Sequence, residues 1–146
     1  MTALYFVDTN VLVYQNDVSN PRKKEAADEW MARLGREASG RVSYQVLIEY
    51  YANAVRLWPR DSLEQVRADI RDLWDWEPMP IDGQVIELAW DTQSRNGLSW
   101  WDSLIVAAAD LSGCDHLLTE DLQDGQQIGR VRVVNPFTHD PAEGPA

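Results

Sequence analysis

The sequence predicts an α/β protein built on a parallel sheet with helices on both faces. Three observations carry this: short apolar runs rich in strand-forming residues, longer segments with apolar side chains at helical spacing, and alternation of the two along the chain. The first run is Leu4-Tyr5-Phe6-Val7, stopped by the turn-forming Asp8-Thr9-Asn10. A continuous apolar run of this kind suits a strand buried on both faces. Asn20-Pro21 then places a good N-cap before a proline at the first helical position. Ala26, Ala27, Trp30, Met31 and Leu34 form one stripe behind it, ending near Gly35. Residues 41–43 read as a second strand and residues 44–57 as a helix closed by Trp58-Pro59. Asp61 followed by Glu64 has the form of a capping box, and Leu63, Val66, Ile70, Leu73 and Trp74 repeat at helical spacing after it. Further helices are expected over 82–96, with Gly97 as a left-handed stop, and over 100–112, ended by Gly113. His116-Leu117-Leu118-Thr119 and Val131-Arg132-Val133-Val134 read as two more buried strands. Prolines and low apolar content follow Pro136, so a single domain over 1–137 is expected to carry a flexible tail over 138–146.

At 146 residues, with 45% hydrophobic, 10% aromatic and 25% charged residues, the chain has the composition of one soluble globular domain rather than a disordered, fibrous or coiled-coil segment. Its charge is unusual: 13 Lys plus Arg against 24 Asp plus Glu leave −11, with a sequence pI near 4.4. Proteins that grip phosphates over a broad surface are basic, so this balance points to cations, metal ions or basic proteins as partners. Cys114 stands alone, which excludes an intrachain disulfide and a thiolate-rich zinc site and fits a reducing compartment. His116 and His139 are too few for a zinc cage or a His-based triad, and each is expected to be partly buried with its ring satisfied. The N-terminal stretch lacks a basic leading segment, and no apolar run reaches the roughly 20 residues of a membrane span. A cytoplasmic location without membrane association is the expectation.

Most acidic residues of such a chain are solvated charge, so position decides which of them matter. Asp8 directly follows the first strand, and Asp121 lies just past the strand ending at Thr119. In open parallel sheets, ligands bind in the crevice outside the carboxyl ends of the strands. Locally, Asp8-Thr9-Asn10 is equally an Asx-turn or an N-cap, and the segment Thr119-Glu120-Asp121-Leu122-Gln123-Asp124-Gly125 is equally an acidic turn. Asp102 stands three residues after Ser99, where an acid completes a capping box and favours the positive helix end. The alanine-rich run behind it implies that this helix start is pinned near the sheet. Glu49 shares a polar stripe with Gln45, Asn53 and Arg56, opposite Leu47, Tyr51, Ala54 and Val55, and such a stripe is ordinarily a solvated face.

Carboxylates gathered at one crevice repel one another and call for protonation or a bound cation. With no His or Cys nearby the ligand set is all oxygen, which selects Mg²⁺ or Mn²⁺ and suits phosphodiester hydrolysis. Competing phosphate chemistries fail on the sequence. It holds no Walker-type loop, no GxGxxG and no Gly-x-Ser-x-Gly elbow, and its lysines, Lys23 and Lys24, come early rather than beside the later acids.

Phe6-Val7-Asp8-Thr9-Asn10-Val11-Leu12, the helix carrying Ser43 to Glu49, Trp101-Asp102-Ser103-Leu104-Ile105-Val106-Ala107-Ala108-Ala109, Leu117-Leu118-Thr119-Glu120-Asp121-Leu122 and Asn135-Pro136-Phe137 together resemble the PIN-domain family. Their order, spacing and length are especially similar to the VapC-type toxins of bacterial type II toxin–antitoxin systems, and the resemblance covers residues 4–137. It implies a three-layer α/β/α fold with a central, mostly parallel sheet, and a Mg²⁺-dependent endoribonuclease, with Mn²⁺ able to substitute, in which a metal-activated water attacks RNA. It further implies that Asp8, Glu49, Asp102 and Asp121 are the catalytic and metal-binding acids, with Thr9, Asn10, Thr119 and Asp124 as supporting polar groups. Either Glu120 or Asp124 can exchange with Asp121 as the fourth acid. Asp102 is then both cap and ligand. The implied partners are a cognate basic antitoxin, RNA and a second copy of the chain. A PIN nuclease of RNA processing and a catalytically silent PIN-like interaction module are the alternatives. The Trp100-Trp101 pair is bulkier than the resemblance leads one to expect; core packing is its expected role and base stacking at the crevice the alternative. The surplus acidity gains a meaning here: bound metal reverses the field at the crevice, and a basic partner can occupy it.

Overall fold

The computed structural model describes residues 2–142. In chain order it contains β1 (Tyr5–Val7), α1 (Thr9–Gln15), α2 (Pro21–Glu37), β2 (Gly40–Arg41), α3 (Tyr44–Leu57), α4 (Leu63–Asp72), α5 (Gly83–Asn96), α6 (Trp100–Leu111), β3 (His116–Leu118), β4 (Gln127–Ile128) and β5 (Val131–Val134). The strands form one sheet in the order β2-β1-β3-β5-β4. The β1–β2, β1–β3 and β3–β5 pairings are parallel, and β4 runs antiparallel to β5. This is the expected α/β architecture: a mostly parallel sheet flanked by helices. β1 is buried along its whole length, as its unbroken apolar run requires. α5 and α6 pack together, with the small side chains of Ala89, Ala107, Ala108 and Ala109 fully buried so that α6 lies close to β3 and β5.

Local chemistry explains most boundaries. Asn20 accepts from Lys23 N and Pro21 opens α2, while Asp82 caps α5 by accepting from Val85 N. Gly97, at φ 65, ends α5 in the left-handed conformation expected of it. Four expectations are corrected. α2 runs past Gly35 to Glu37 and ends on a left-handed Ala38. β2 lies at Gly40–Arg41 rather than 41–43, because Val42 O accepts from Met79 N across a separate bridge. The Asp61/Glu64 capping box does not form: Asp61 sits inside a 3₁₀ turn after Pro59, Ser62 makes no capping bond, and Glu64 pairs with Arg67 and Arg71. β4 was not expected; it is a two-residue edge strand closed by a turn at Gly129, too short to show an alternating pattern.

The histidines divide. His116 stacks on Tyr5 at 4.7 Å between ring centroids, and burial makes it less basic than usual. Its Nδ1 has no partner among the described residues, contrary to the expected satisfied ring. His139 instead pairs with Asp124 at 2.9 Å.

Part of the C-terminal segment is tied down. The fully buried Trp30 donates from Nε1 to Pro136 O at 2.9 Å and to His139 O at 3.2 Å, and Arg33 donates to Pro141 O at 2.6 Å. These contacts reach into the segment read from sequence as a flexible tail; its residues 143–146 lie outside the described residues. Trp30→Phe removes the donor while keeping an aromatic in the core. It is expected to lower stability by about 1–3 kcal/mol in a denaturant titration, and to speed proteolysis beyond Pro136.

Candidate functional site

Two neighbouring strand ends found the site. β1 and β3 are parallel and in register, Val7 beside Leu118, so the next residues, Asp8 and Thr119, emerge side by side, with Asp8 N donating to Leu118 O at 3.0 Å. The chain turns immediately after β1 because Asp8 adopts an extended N-cap conformation and accepts the Thr9 N–H through Oδ1 at 2.7 Å. Its other oxygen, Oδ2, accepts from the Thr119 hydroxyl at 2.8 Å. Thr119 is wholly buried and its single oxygen is a hub: beyond donating to Asp8 it accepts from Asn10 Nδ2 at 2.9 Å and from Asp121 N at 3.1 Å. Asn10 Nδ2 also reaches Asp121 Oδ2 at 3.3 Å, and Asn10 Oδ1 accepts from Glu120 N at 3.4 Å, which ties the first turn of α1 to the loop after β3.

The third acid comes from α3. Ser43 caps this helix, and Glu49 lies on it where Thr9 Oγ1 donates to Oε2 at 2.8 Å and Gln45 Nε2 donates to Oε1 at 2.8 Å. Both oxygens of Glu49 are therefore held. The fourth, Asp102, stands in the first turn of α6, whose start is fixed by Ser99 Oγ accepting the Asp102 N–H at 3.1 Å and by a wholly buried Ser103. Asp8, Glu49, Asp102 and Asp121 line a single cleft, together with Asn10, Asn53, Arg56, Trp101 and Glu120.

The electrostatics follow from burial and proximity. Asp8 is 5% exposed, and burial pushes its carboxyl up to about 7; the Thr119 and Thr9 hydrogen bonds oppose this, and the charges of Asp121 and Glu49 add to it. Burial also raises Asp121, opposed by the Asn10 hydrogen bond and reinforced by Asp102 and Glu120. Arg56 on the wall donates to Asn53 Oδ1 and not to a carboxylate. Among the described residues, none of the four acids forms an ion pair. The donor set is thus all oxygen, negatively charged and uncompensated, the chemistry that suits a hard divalent cation. Among the described residues no three His, Cys, Asp or Glu side chains approach closely enough to form a ready cage. Mg²⁺ does not need one, since it keeps several waters and takes one or two carboxylates.

The remaining sequence candidates separate. Thr9, Asn10 and Thr119 are the struts just described. Glu120 lines the cleft edge, where its carboxylate is engaged by Lys23 Nζ at 2.6 Å. Asp124 does not line the cleft: it accepts from Asn135 N at 2.8 Å and pairs with His139, so it fastens the C-terminal segment to the loop before β4. Of the tryptophans, Trp100 packs on the core as expected, but Trp101 is 64% exposed, a correction to the expected packing of the pair. Gln45, read as part of a solvated stripe, is 7% exposed and positions Glu49; its spacing of four from Glu49 was the one available signal.

Comparisons with known proteins bear on the fold and the family. The fold is similar to the crystal structure of FitAcB from Neisseria gonorrhoeae, with a TM-score of 0.70 at 18% identity over 93% of this chain and 100% of that one. It is similar to a toxin–antitoxin complex from Klebsiella pneumoniae, with a TM-score of 0.59 at 20% identity over 92% and 98% of the two chains. It is also similar to Mycobacterium tuberculosis VapC20, a toxin that cleaves the sarcin–ricin loop, with a TM-score of 0.57 at 21% identity over 80% and 91%. A sequence comparison with curated proteins finds no match. The family model of the PIN domain matches residues 5–126, a span that takes in both strand ends, the helix of Glu49 and the start of α6, and the chain therefore belongs to the PIN domain family.

Proposed function

We propose that the chain is a divalent-metal-dependent endoribonuclease and the toxin of a type II toxin–antitoxin pair. The observation that carries this is the cleft itself: four carboxylates from four separate segments, none ion-paired among the described residues, with the buried Asp8 carboxyl pushed up to about 7. A Mg²⁺ or Mn²⁺ ion bound in the cleft among Asp8, Glu49, Asp102 and Asp121, by one or two of these carboxylates directly, would supply neutralisation of the phosphate oxygens and an activated water. The chain's own groups do the rest. Thr119 and Thr9 N–H hold Asp8, Thr9 and Gln45 hold Glu49, and Asn10 holds Asp121, so each of these carboxylates is aimed before substrate arrives. Asp102 is set by the capped start of α6. Asn53 and Arg56 on the wall are donors for a flanking phosphate.

Similarity to a toxin–antitoxin complex and to an RNA-cleaving toxin supports the biological setting. The net charge of −11 suits a basic antitoxin whose cationic side chains enter the same cleft and exclude metal and RNA. A homodimer in the cytoplasm completes the proposal. Among the described residues no helix is long and apolar enough to cross a membrane. Purified protein is expected to cleave RNA with Mg²⁺ or Mn²⁺ and to stop on addition of EDTA. Asp102→Asn is expected to lower the rate at least about 100-fold, since even the outer partners of metal ligands contribute on the order of 10- to 100-fold. Chelator-insensitive cleavage, or equal cleavage by the variant, overturns the assignment to this cleft.

A further inference from the structure

A second groove meets the acidic cleft at Glu120, which lines both. Its other walls are the start of α2, with Asn20, Arg22 and Lys23, and the segment after β5, with Asn135. The two hollows differ in charge. The cleft sets Asp8, Asp17, Glu49, Asp102, Glu120 and Asp121 against Arg56 alone, whereas the groove sets Arg22 and Lys23 against Glu120 alone, and Lys23 already engages that carboxylate. The spare hydrogen-bonding capacity of the groove lies on the donor side. Asn20 and Asn135 each spend their amide oxygen on backbone, accepting from Lys23 N at 3.3 Å and from Phe137 N at 2.9 Å, so the amide nitrogen is the end left without a partner among the described residues. Lys23 Nζ lies over the Tyr14 and Phe137 rings and commits two of its three donors, to Glu120 Oε2 at 2.6 Å and to the Tyr14 hydroxyl at 3.3 Å; the third is free. Arg22 is exposed and makes no ion pair or hydrogen bond among the described residues.

We infer that this groove binds a phosphate of the RNA strand flanking the scissile one, gripped by Arg22 and Lys23 with the amides of Asn20 and Asn135, and that it leads the strand out of the cleft. The inference rests on the nuclease reading of the cleft. A phosphodiester group is negative and offers acceptors through its oxygens, the complement of two cations and spare donors. A strand seated with one phosphate among the acids carries its next charge to the edge of the cleft. Along bare carboxylates that charge is repelled; at Glu120 it is not, because Lys23 has neutralised the carboxylate. The groove therefore serves a phosphate other than the one met by Asn53 and Arg56 on the α3 wall. A basic protein is drawn to the acids and repelled by Arg22 and Lys23, so the charge of the groove favours RNA over such a partner.

The test uses the full chain and a single-stranded RNA 12-mer in which the bond cut by wild type with Mg²⁺ has been mapped. In a set of such strands, one flanking linkage at a time is an uncharged methylphosphonate on a 2′-O-methyl nucleotide, with the same nucleotide bearing an ordinary phosphate as control. For wild type, one flanking position is expected to raise KM by about 3- to 30-fold with kcat little changed. Arg22→Gln is expected to raise KM on the all-phosphate strand by a similar factor and to be indifferent to the methylphosphonate at that position, because the two changes remove the same contact. Arg22→Lys should restore most of the affinity. With Ca²⁺ in place of Mg²⁺, the double variant Arg22→Gln/Lys23→Gln should lower the slope of log Kd against log salt by about 0.7, the value for one phosphate of a single strand. Since Arg22 is exposed, unaltered thermal melting of Arg22→Gln is the check on folding. Asp102-dependent cleavage by wild type with unchanged KM in Arg22→Gln overturns the phosphate site and leaves the nuclease reading intact. So does a loss in Arg22→Gln that adds to the methylphosphonate effect equally at every position, which would make Arg22 a source of general attraction only. Absence of Asp102-dependent cleavage by wild type overturns both readings.

Discussion

Asp8→Asn is expected to cut RNA cleavage by about 10²–10³-fold or more and, in the same protein, to raise thermal stability when metal is chelated at pH 8. The two effects have one source. Asp8 is 5% exposed, and its carboxyl is pushed up to about 7 by burial and by the neighbouring Asp121 and Glu49 charges. An unfolded Asp titrates near 3.9. The folded state therefore holds the proton more tightly than the unfolded state. The stability from this group is fully present below about pH 4 and is lost as pH rises through about 7. At pH 8 the metal-free protein carries an ionised, crowded carboxylate at a cost of up to about 4 kcal/mol, from some three pH units at 1.36 kcal/mol each. Asparagine removes that charge and keeps an oxygen for Thr9 N–H, but it gives up the bond from the Thr119 hydroxyl, whose filled acceptor sites cannot take the new amide donor. The variant's advantage at pH 8 should vanish or reverse near pH 4, where both side chains are neutral and only the carboxyl still accepts from Thr119. Removing a group that stabilises transition-state charge costs about 10²–10³-fold in rate, which sets the kinetic half of the prediction. Differential scanning calorimetry in EDTA at pH 4 and pH 8, repeated with Mg²⁺, checks the rest. Mg²⁺ should stabilise wild type by mass action and leave Asp8→Asn nearly unmoved. Equal melting of the two proteins at pH 8 in EDTA would show that Asp8 is not under this strain.

How much of this was legible in the sequence depends on how far away each side chain's partners lie. Asp8 was readable because its role is local: an apolar strand, then turn chemistry, then a capped helix. Asp102 was readable for the same reason, through Ser99 three residues before it. Glu49 is different. On its own helix it belongs to a polar stripe, and what turns that stripe inward is Thr9, 40 residues earlier in the chain. No local pattern records such a contact; only the family resemblance raised Glu49 above a solvated charge. The same limit explains Asp124, grouped with the site because it follows Asp121 closely. Its carboxylate is claimed by His139 and by the Asn135 N–H, both from beyond β5. The parallel sheet and its helices were legible because buried strands and amphipathic helices leave periodic signals. The two-residue β4 and the left-handed exit at Ala38 leave none. Trp101 escaped because hydrophobicity reads as burial, while here the ring lies at the lip of the cleft.

Thr119→Val is expected to have the second-largest effect, although its side chain never meets solvent. The hydroxyl is saturated: its one proton goes to Asp8 Oδ2 at 2.8 Å, and its two acceptor sites take Asn10 Nδ2 at 2.9 Å and Asp121 N at 3.1 Å. Because both acceptor sites are filled, the proton is committed to Asp8, and that bond is the largest influence holding the Asp8 carboxyl below where burial alone would put it. Valine matches threonine in shape, so packing is retained and the change isolates the hydroxyl. Three polar groups then lose a partner, and for the buried Asp8 carboxyl no solvent replaces it, which is expected to lower stability by about 1–3 kcal/mol. The kinetic consequence has a distinctive form. Without the Thr119 proton the Asp8 carboxyl moves further up, so the acid limb of kcat/KM against pH should shift to higher pH. At neutral pH the rate should fall about 10- to 100-fold, the scale seen when a ligand's supporting hydrogen bond is removed. Raising the pH should recover part of that loss, which a merely unfolded fraction would not allow. Thr119→Ser, which keeps the hydroxyl and gives up a methyl group, should restore the profile while remaining somewhat destabilised by the small cavity. An unshifted pH profile in Thr119→Val, with the rate lowered equally at every pH, would mean that Thr119 supports the fold alone and does not tune Asp8.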